Sequence, residues 1–295
     1  MPNNTVHDNA TDLEMNRAYA VVFGSVIVLG LPLNAVSLWI LLRRHSLKSS
    51  SAIFMVNLAI SDLLLVISLP MRVYFYATGS WPLSIMACIW ITMLFLNNIR
   101  SSSIFITFIS LDRLLAVVYP LRSRHLRTPS NAWKSVALVW LFVLVVNIPE
   151  SFHFTRSIRD SNESTCFEFR EPKLLQSNLS YIQPVLVVTL LAVNLVSTVL
   201  VSCTLHKRLN DSAKVNNKVN VMLIFAMNLM MFTVFFLPVS LVVFFQSGKH
   251  FFTLLMCLAS VNCCLDPLLY YFSLDGFWKR KEDADTSGQA PLNTL

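Results

Sequence analysis

Seven runs of mostly apolar residues divide the chain, at about 18–42, 52–76, 86–118, 132–148, 182–205, 219–246 and 251–272. The hydrocarbon core of a bilayer takes about 20 such residues per helix. The expected fold is therefore an all-α membrane protein, a seven-transmembrane helix bundle spanning 18–272. A tail at 1–17 precedes it, and a tail at 273–295 is expected to open with a short amphipathic helix. Hydrophobic residues make up 55% of the chain and charged residues only 13%, about half the charged share of a soluble domain. The net charge of +7 does not indicate nucleic acid, because the basic residues lie in short loops between apolar runs instead of on one soluble face. No basic start followed by a hydrophobic core precedes the first run, so that run is expected to do the targeting. No internal repeat is visible, which argues against a transporter built from duplicated halves.

The loops set the direction. With the N-terminus outside, fourteen of the 23 Lys and Arg fall in cytoplasmic segments and six outside, the other three (Arg72, Arg100, Arg113) lying within spans. Cytoplasmic loops carry the excess of basic residues, so this orientation is the expected one. Asn-X-Ser/Thr triplets at Asn3, Asn9, Asn162 and Asn178 then fall outside as candidate glycosylation sites. Of the six cysteines, Cys203, Cys257, Cys263 and Cys264 fall in spans and suit packing as small apolar residues. Cys88, at the outer start of span three, and Cys166, in the long outer loop, either form a disulfide or stay free thiols. An oxidising compartment favours the bridge.

An ionisable residue inside a span is by default a functional hypothesis. Asp62 and Asp266 lie in spans two and seven. Asn98 and Ser102 in span three are four apart and share a helix face, as do Asn262 and Asp266. Together they form an oxygen-rich set suited to a sodium ion and water, or to interhelical hydrogen bonding alone. Arg72 follows Pro70 toward the outside, and is either an anchor for an anionic group or a snorkelling arginine. Arg100 sits mid-span, turned away from the aspartate set. It is either a second anion anchor or a clasp to span-five groups such as Asn194. Asn97 and Lys249 complete the candidate ligand residues, with Arg156, Arg159, Arg170, Lys173 and His250 as steering charges at the mouth. Prolines at 32, 70, 184, 238 and 267 permit bends.

Motifs on successive spans then resemble the rhodopsin-like G-protein-coupled receptors. They are "GLPLN" in span one, "NLAISD" in span two, "SLDRLLAVVYPL" after span three, Trp140 in span four, "FTVFFLP" in span six and "NCCLDPLLYYF" in span seven. Span seven has no lysine for a retinal Schiff base, which excludes opsins. "SWPLS", Pro70 with Arg72, Phe236 before Leu237-Pro238 and Asp-Pro-x-x-Tyr resemble the purinergic-like branch. "LRSRHLRTP" and "DPLLYYFSLDGF" are most similar to its lysophosphatidic acid receptors. The resemblance implies a plasma-membrane receptor for an anionic, lipid-like ligand that activates a heterotrimeric G protein, with arrestin as a further partner and no covalent chemistry. It implies that Arg113, paired with Asp112, is released to the G protein alongside Tyr270, with Phe232, Phe236, Pro238 and Pro267 in the activation path. The pattern departs from the family at Asp112-Arg113-Leu114, at Ser197 where a span-five proline is usual, and in the short "QSGKH" loop. Alternatives are the same fold with a small carboxylic acid, nucleotide or peptide ligand, a non-signalling scavenger or heteromer partner, or a transporter. Apart from the sodium ion, no cofactor is implied.

Overall fold

Inside a bilayer every backbone N–H and C=O must be paired within the protein, and the chain meets this with a helix in each described span. The structure, a computed structural model, describes residues 3–44, 47, 49–161, 166–167, 181–207, 215–244 and 249–287, with side chains for 12–43, 47, 49–156, 166–167, 181–207, 219–244 and 250–271. The elements are α1 (Asn3–Arg44), α2 (Ser50–Thr78), α3 (Ile85–Val118), α4 (Pro129–Ser161), α5 (Ile182–Lys207), α6 (Val215–Met230), a π turn (Met231–Phe236), α7 (Leu237–Leu241), a 3-10 turn (Val242–Phe244) and α8 (Lys249–Ser287). The sixth span runs from α6 through the 3-10 turn, and the seventh is the first part of α8. Among the described residues, seven helical segments are long and apolar enough to cross a membrane. The expected bundle is present. α8 continues without a break to Ser287, so the short helix expected after span seven is the end of α8 itself. α1 likewise begins at Asn3, inside the stretch assigned to the N-terminal tail.

Local chemistry sets the helix ends. Ser49 has extended backbone and its hydroxyl accepts from the Ala52 N–H, capping α2. Gly79 closes the same helix in the left-handed region at φ 70°, donating its N–H to Phe75 O at 2.8 Å. Ser84 caps α3 through Ala87. Thr128 accepts from the Asn131 N–H just before Pro129 opens α4. In the sixth span, Pro238 has no N–H and its ring crowds the preceding turn. The chain answers with a π turn immediately before it, in which the Leu237 N–H reaches back to Phe232 O.

Burial separates centre from periphery. In their most apolar stretches α2 is 78% and α3 61% buried, against 22% for α5. α2 and α3 therefore form the centre, and α5 turns side chains such as Val196 and Val199 outward to lipid. A disulfide joins Cys88 to Cys166 with Cα atoms 5.9 Å apart, as expected. It fixes Phe167, whose φ is 66°, against Phe75 and Trp81 at ring-centroid distances of 5.5 and 5.3 Å.

Candidate functional site

A cavity lies at the disulfide end of the bundle, walled by α2, α3, α4, α5, the sixth span and α8. Its apolar lining includes Met93, Leu96, Ile99, Phe154, Val239 and Met256. Arg72 forms one wall. It is only 3% exposed, so it does not snorkel. Its guanidinium lies over the Phe95 ring at 4.8 Å and the Phe167 ring at 4.2 Å. Such stacking offsets part of a buried cation's desolvation. Yet Nε and Nη2 have no hydrogen-bond partner among the described residues, leaving two donors of a cavity-lining cation open. Burying a charge without a counter-ion is costly, and an anionic group in the cavity would meet that need.

Arg100, 1% exposed, lines the same cavity and is differently placed. Its Nε donates to Gln183 Oε1 at 3.0 Å, Nη1 to Asn147 Oδ1 at 2.9 Å, and Nη2 to Glu150 Oε1 at 3.0 Å, with Glu150 Oε2 in ion-pair contact at 2.7 Å. Of the two roles open to Arg100 the geometry takes the interhelical clasp, with partners other than Asn194. Asn194 instead donates to Thr107 Oγ1 at 2.9 Å and to Leu190 O, because it lies on α5 three turns beyond Gln183. Asn97 accepts from Asn147 and faces α4, and is not part of the cavity wall. His250 meets Asp12 at 2.8 Å. The side chains of Lys249, Arg159, Arg170 and Lys173, and those of Asn3, Asn9, Asn162 and Asn178, lie outside the described residues.

Glu150, Asn147, Gln183 and Phe167 were not singled out from sequence. Asn147 and Glu150 sit three apart on one helix face, a readable signal that the end of the fourth apolar run at 148 splits in two. Phe167 carries a signal only through the cysteine before it.

Deeper in the bundle the aspartate set assembles as a fully buried cluster. Asn98 Nδ2 donates to Asp62 Oδ1 at 2.9 Å, to Ser102 at 3.1 Å and to Ser61 at 3.2 Å. Asn262 donates to Asp266 Oδ2 at 3.0 Å. Asp62 Oδ2, Asp266 Oδ1 and Asn262 Oδ1 have no hydrogen-bond partner among the described residues. Two of these three oxygens belong to carboxyl groups, and oxygens of this kind are the ligands a small hard cation takes. Asn34 braces this region by donating to Cys263 O at 2.7 Å. Phe232 and Phe236 are fully buried and meet edge-on at 5.5 Å. Pro267 lies within α8, and the Tyr270 hydroxyl is buried with no hydrogen-bond partner among the described residues.

At the opposite end the expected pairing of Asp112 with Arg113 is replaced. Arg127 Nε and Nη2 grip Asp112 at 3.0 and 3.1 Å, and Ser50 and Ser51 donate to its oxygens at 2.8 and 2.5 Å. Adjacent helix positions do not face each other, so Asp112 points at the start of α2 while Arg113 Nε has no hydrogen-bond partner among the described residues.

These features, seven spans around a cavity with a polar column beneath it, define a membrane-embedded ligand receptor. The family model "7 transmembrane receptor (rhodopsin family)" matches residues 33–270. The chain belongs to that family, whose members are receptors and not enzymes, and the resemblance drawn from its motifs is borne out. Lysophosphatidic acid receptor 4 of Homo sapiens is 35% identical over 298 residues, covering 94% of this chain and 79% of the relative. Lysophosphatidic acid receptor 6 of Gallus gallus is 33% identical, covering 94% and 95%. S-geranylgeranyl-glutathione receptor P2RY8 of Homo sapiens is 30% identical, covering 100% and 88%.

Proposed function

We propose that this receptor binds an anionic lysophospholipid of the lysophosphatidic acid kind and passes the signal to a heterotrimeric G protein. The observation that carries the reading is Arg72, a buried guanidinium with open donors in the cavity wall, held between Phe95 and Phe167. A phosphate monoester supplies the oxygens that two parallel N–H groups take best, and the apolar lining suits an acyl chain. The names of the relatives point to the same ligand chemistry. The receptor sits in the plasma membrane with its N-terminus and disulfide outside, so the cavity opens outward, and Arg113 faces the G protein. A sodium ion held by Asp62 and Asp266 through their open oxygens stabilises the resting bundle.

The test is G-protein dissociation in cells expressing the receptor, with lysophosphatidic acid and the neutral monoacylglycerol as ligands. Arg72→Gln should weaken the response to lysophosphatidic acid by at least about thirtyfold, since removing one member of a buried charged pair costs about 2–5 kcal/mol. The response to the neutral ligand should be weak and unaffected by the change. Equal losses for both ligands would refute the assignment.

A further inference from the structure

Among the described residues four hydroxyl side chains line the cavity, and three of them have partners. Tyr76 and Thr253 meet each other at 3.4 Å, and Ser240 accepts from Gln183 Nε2 at 3.4 Å. The fourth, Thr92, is 5% exposed, and its Oγ1 has no hydrogen-bond partner among the described residues. A helical threonine has a local remedy, because its hydroxyl can bond the carbonyl four residues back. Thr107, Thr155, Thr189 and Thr198 all do so, at 2.7–2.8 Å. Thr92 makes no such bond, although a buried hydroxyl left alone costs free energy.

The place of Thr92 in the wall gives that open hydroxyl a use. Cys88, Thr92 and Phe95 fall at i, i+4 and i+7 of α3, one face of a helix, and all three are buried. Both ends of this stripe hold Arg72. Phe95 lies under its guanidinium at 4.8 Å. Cys88 is bonded to Cys166, the residue before Phe167, whose ring takes the guanidinium at 4.2 Å. Thr92 therefore stands on α3 between the two contacts that fix Arg72. The two residues line the same cavity, and there Arg72 leaves Nε and Nη2 open.

We propose that Thr92 is a second head-group residue, whose hydroxyl donates to an oxygen of the phosphate that Arg72 holds. This rests on the reading that the ligand is a phosphate monoester seated on Arg72, and adds a second protein group to that seat. A phosphate monoester has three non-ester oxygens. The parallel Nε–H and Nη2–H pair of Arg72 takes two of them, and the third is left for another donor. A hydroxyl bonded to a charged oxygen contributes more than one bonded to a neutral carbonyl. An open hydroxyl fixed beside the arginine is thus a pre-organised contact, with little left to order when the head group arrives. The same hydroxyl contributes nothing to the ligand-free bundle, where an apolar group of its shape would sit as well or better.

The experiment uses the full-length receptor and palmitoyl lysophosphatidic acid, with two readouts. One is G-protein dissociation in cells, with surface expression measured in parallel. The other is thermal melting of detergent-solubilised receptor without ligand. Thr92→Val removes the hydroxyl and keeps the shape. It should weaken the response about tenfold or more, while the ligand-free melting temperature stays level or rises. Thr92→Ser, which keeps the hydroxyl, should remain within about threefold of the unmodified receptor. An unchanged response in Thr92→Val would overturn the proposal. So would a loss in Thr92→Ser as large as in Thr92→Val, which would assign the effect to the methyl group. A lower ligand-free melting temperature in Thr92→Val would overturn it too, because the hydroxyl would then serve the bundle. Arg72→Gln, run alongside, separates the two readings. If it damages the response and Thr92→Val does not, only the role of Thr92 falls. If it is harmless, or the unmodified receptor is silent, the phosphate seat falls and Thr92 with it.

Discussion

Replacing Arg100 by methionine should destabilise the receptor without any ligand, and adding Glu150→Met should recover much of the loss. Arg100 is 1% exposed and Glu150 19%, so removing the guanidinium leaves a mostly buried carboxylate with no counter-charge. Breaking one side of a buried ion pair costs about 3–5 kcal/mol. The amides lose less: Asn147 keeps its bond to Asn97, and Gln183 keeps Ser240 at 3.4 Å. Each bond they lose is worth about 1 kcal/mol. The single change should therefore lower the melting temperature by roughly 6–20 °C. In the double variant no charge is stranded, and apolar replacement of a buried pair is often neutral. The assay is thermal melting of detergent-solubilised, ligand-free receptor, run as a double-mutant cycle. A coupling near zero would refute the clasp and return Arg100 to the role of an open ligand anchor.

Three further outcomes follow from other parts of the bundle. Arg127→Gln should cost about 1.5–3 kcal/mol of stability, because it leaves the buried Asp112 carboxylate with only the Ser50 and Ser51 hydroxyls; an unchanged melting temperature of the ligand-free receptor would refute this. Asp62→Asn should remove any sodium dependence of agonist affinity, since an ion favouring the resting bundle must by linkage oppose agonist, and a persisting sodium response in radioligand binding would count against the cluster. Gly30→Ala places a Cβ 3.0 Å from Cys263 Sγ and 3.3 Å from Val66 Cγ2, so it should cost about 1–3 kcal/mol of stability, partly relieved by Cys263→Ala; an unchanged melting temperature would show that the α1–α8 contact is slack.

The spans were readable because membrane burial leaves a composition signal in every run, and the aspartate set because a charge in such a run stands out. Arg72 and Arg100 stood out for the same reason, but their opposite fates did not. Whether a buried arginine is open or closed depends on residues far along the chain. Glu150 lies 50 positions from Arg100 and Gln183 lies 83, and no local pattern links them. The Asp112 pairing went astray because Arg113 is its neighbour in sequence, whereas helix geometry turns the two apart and brings Arg127 back from the following loop. The π turn had no signature beyond Pro238. That proline called for some accommodation but left its form to the packing of Phe232 and Phe236.

That extra-wide turn sets the phase of the sixth span. It inserts one residue relative to an ordinary helix, so everything after it is rotated by about 100° compared with an unbroken α-helix. Ile224 and Phe225, before the turn, pack into the bundle, while Val239 and Ser240, after it, face the cavity. The two halves of one span are thus indexed separately, and a one-residue deletion within Met231–Phe236 would take out the extra residue and let the span close as an ordinary helix with both halves in phase. Val239 and Ser240 would keep the ligand wall in that variant, whereas an ordinary helix of unchanged length would swing them off it.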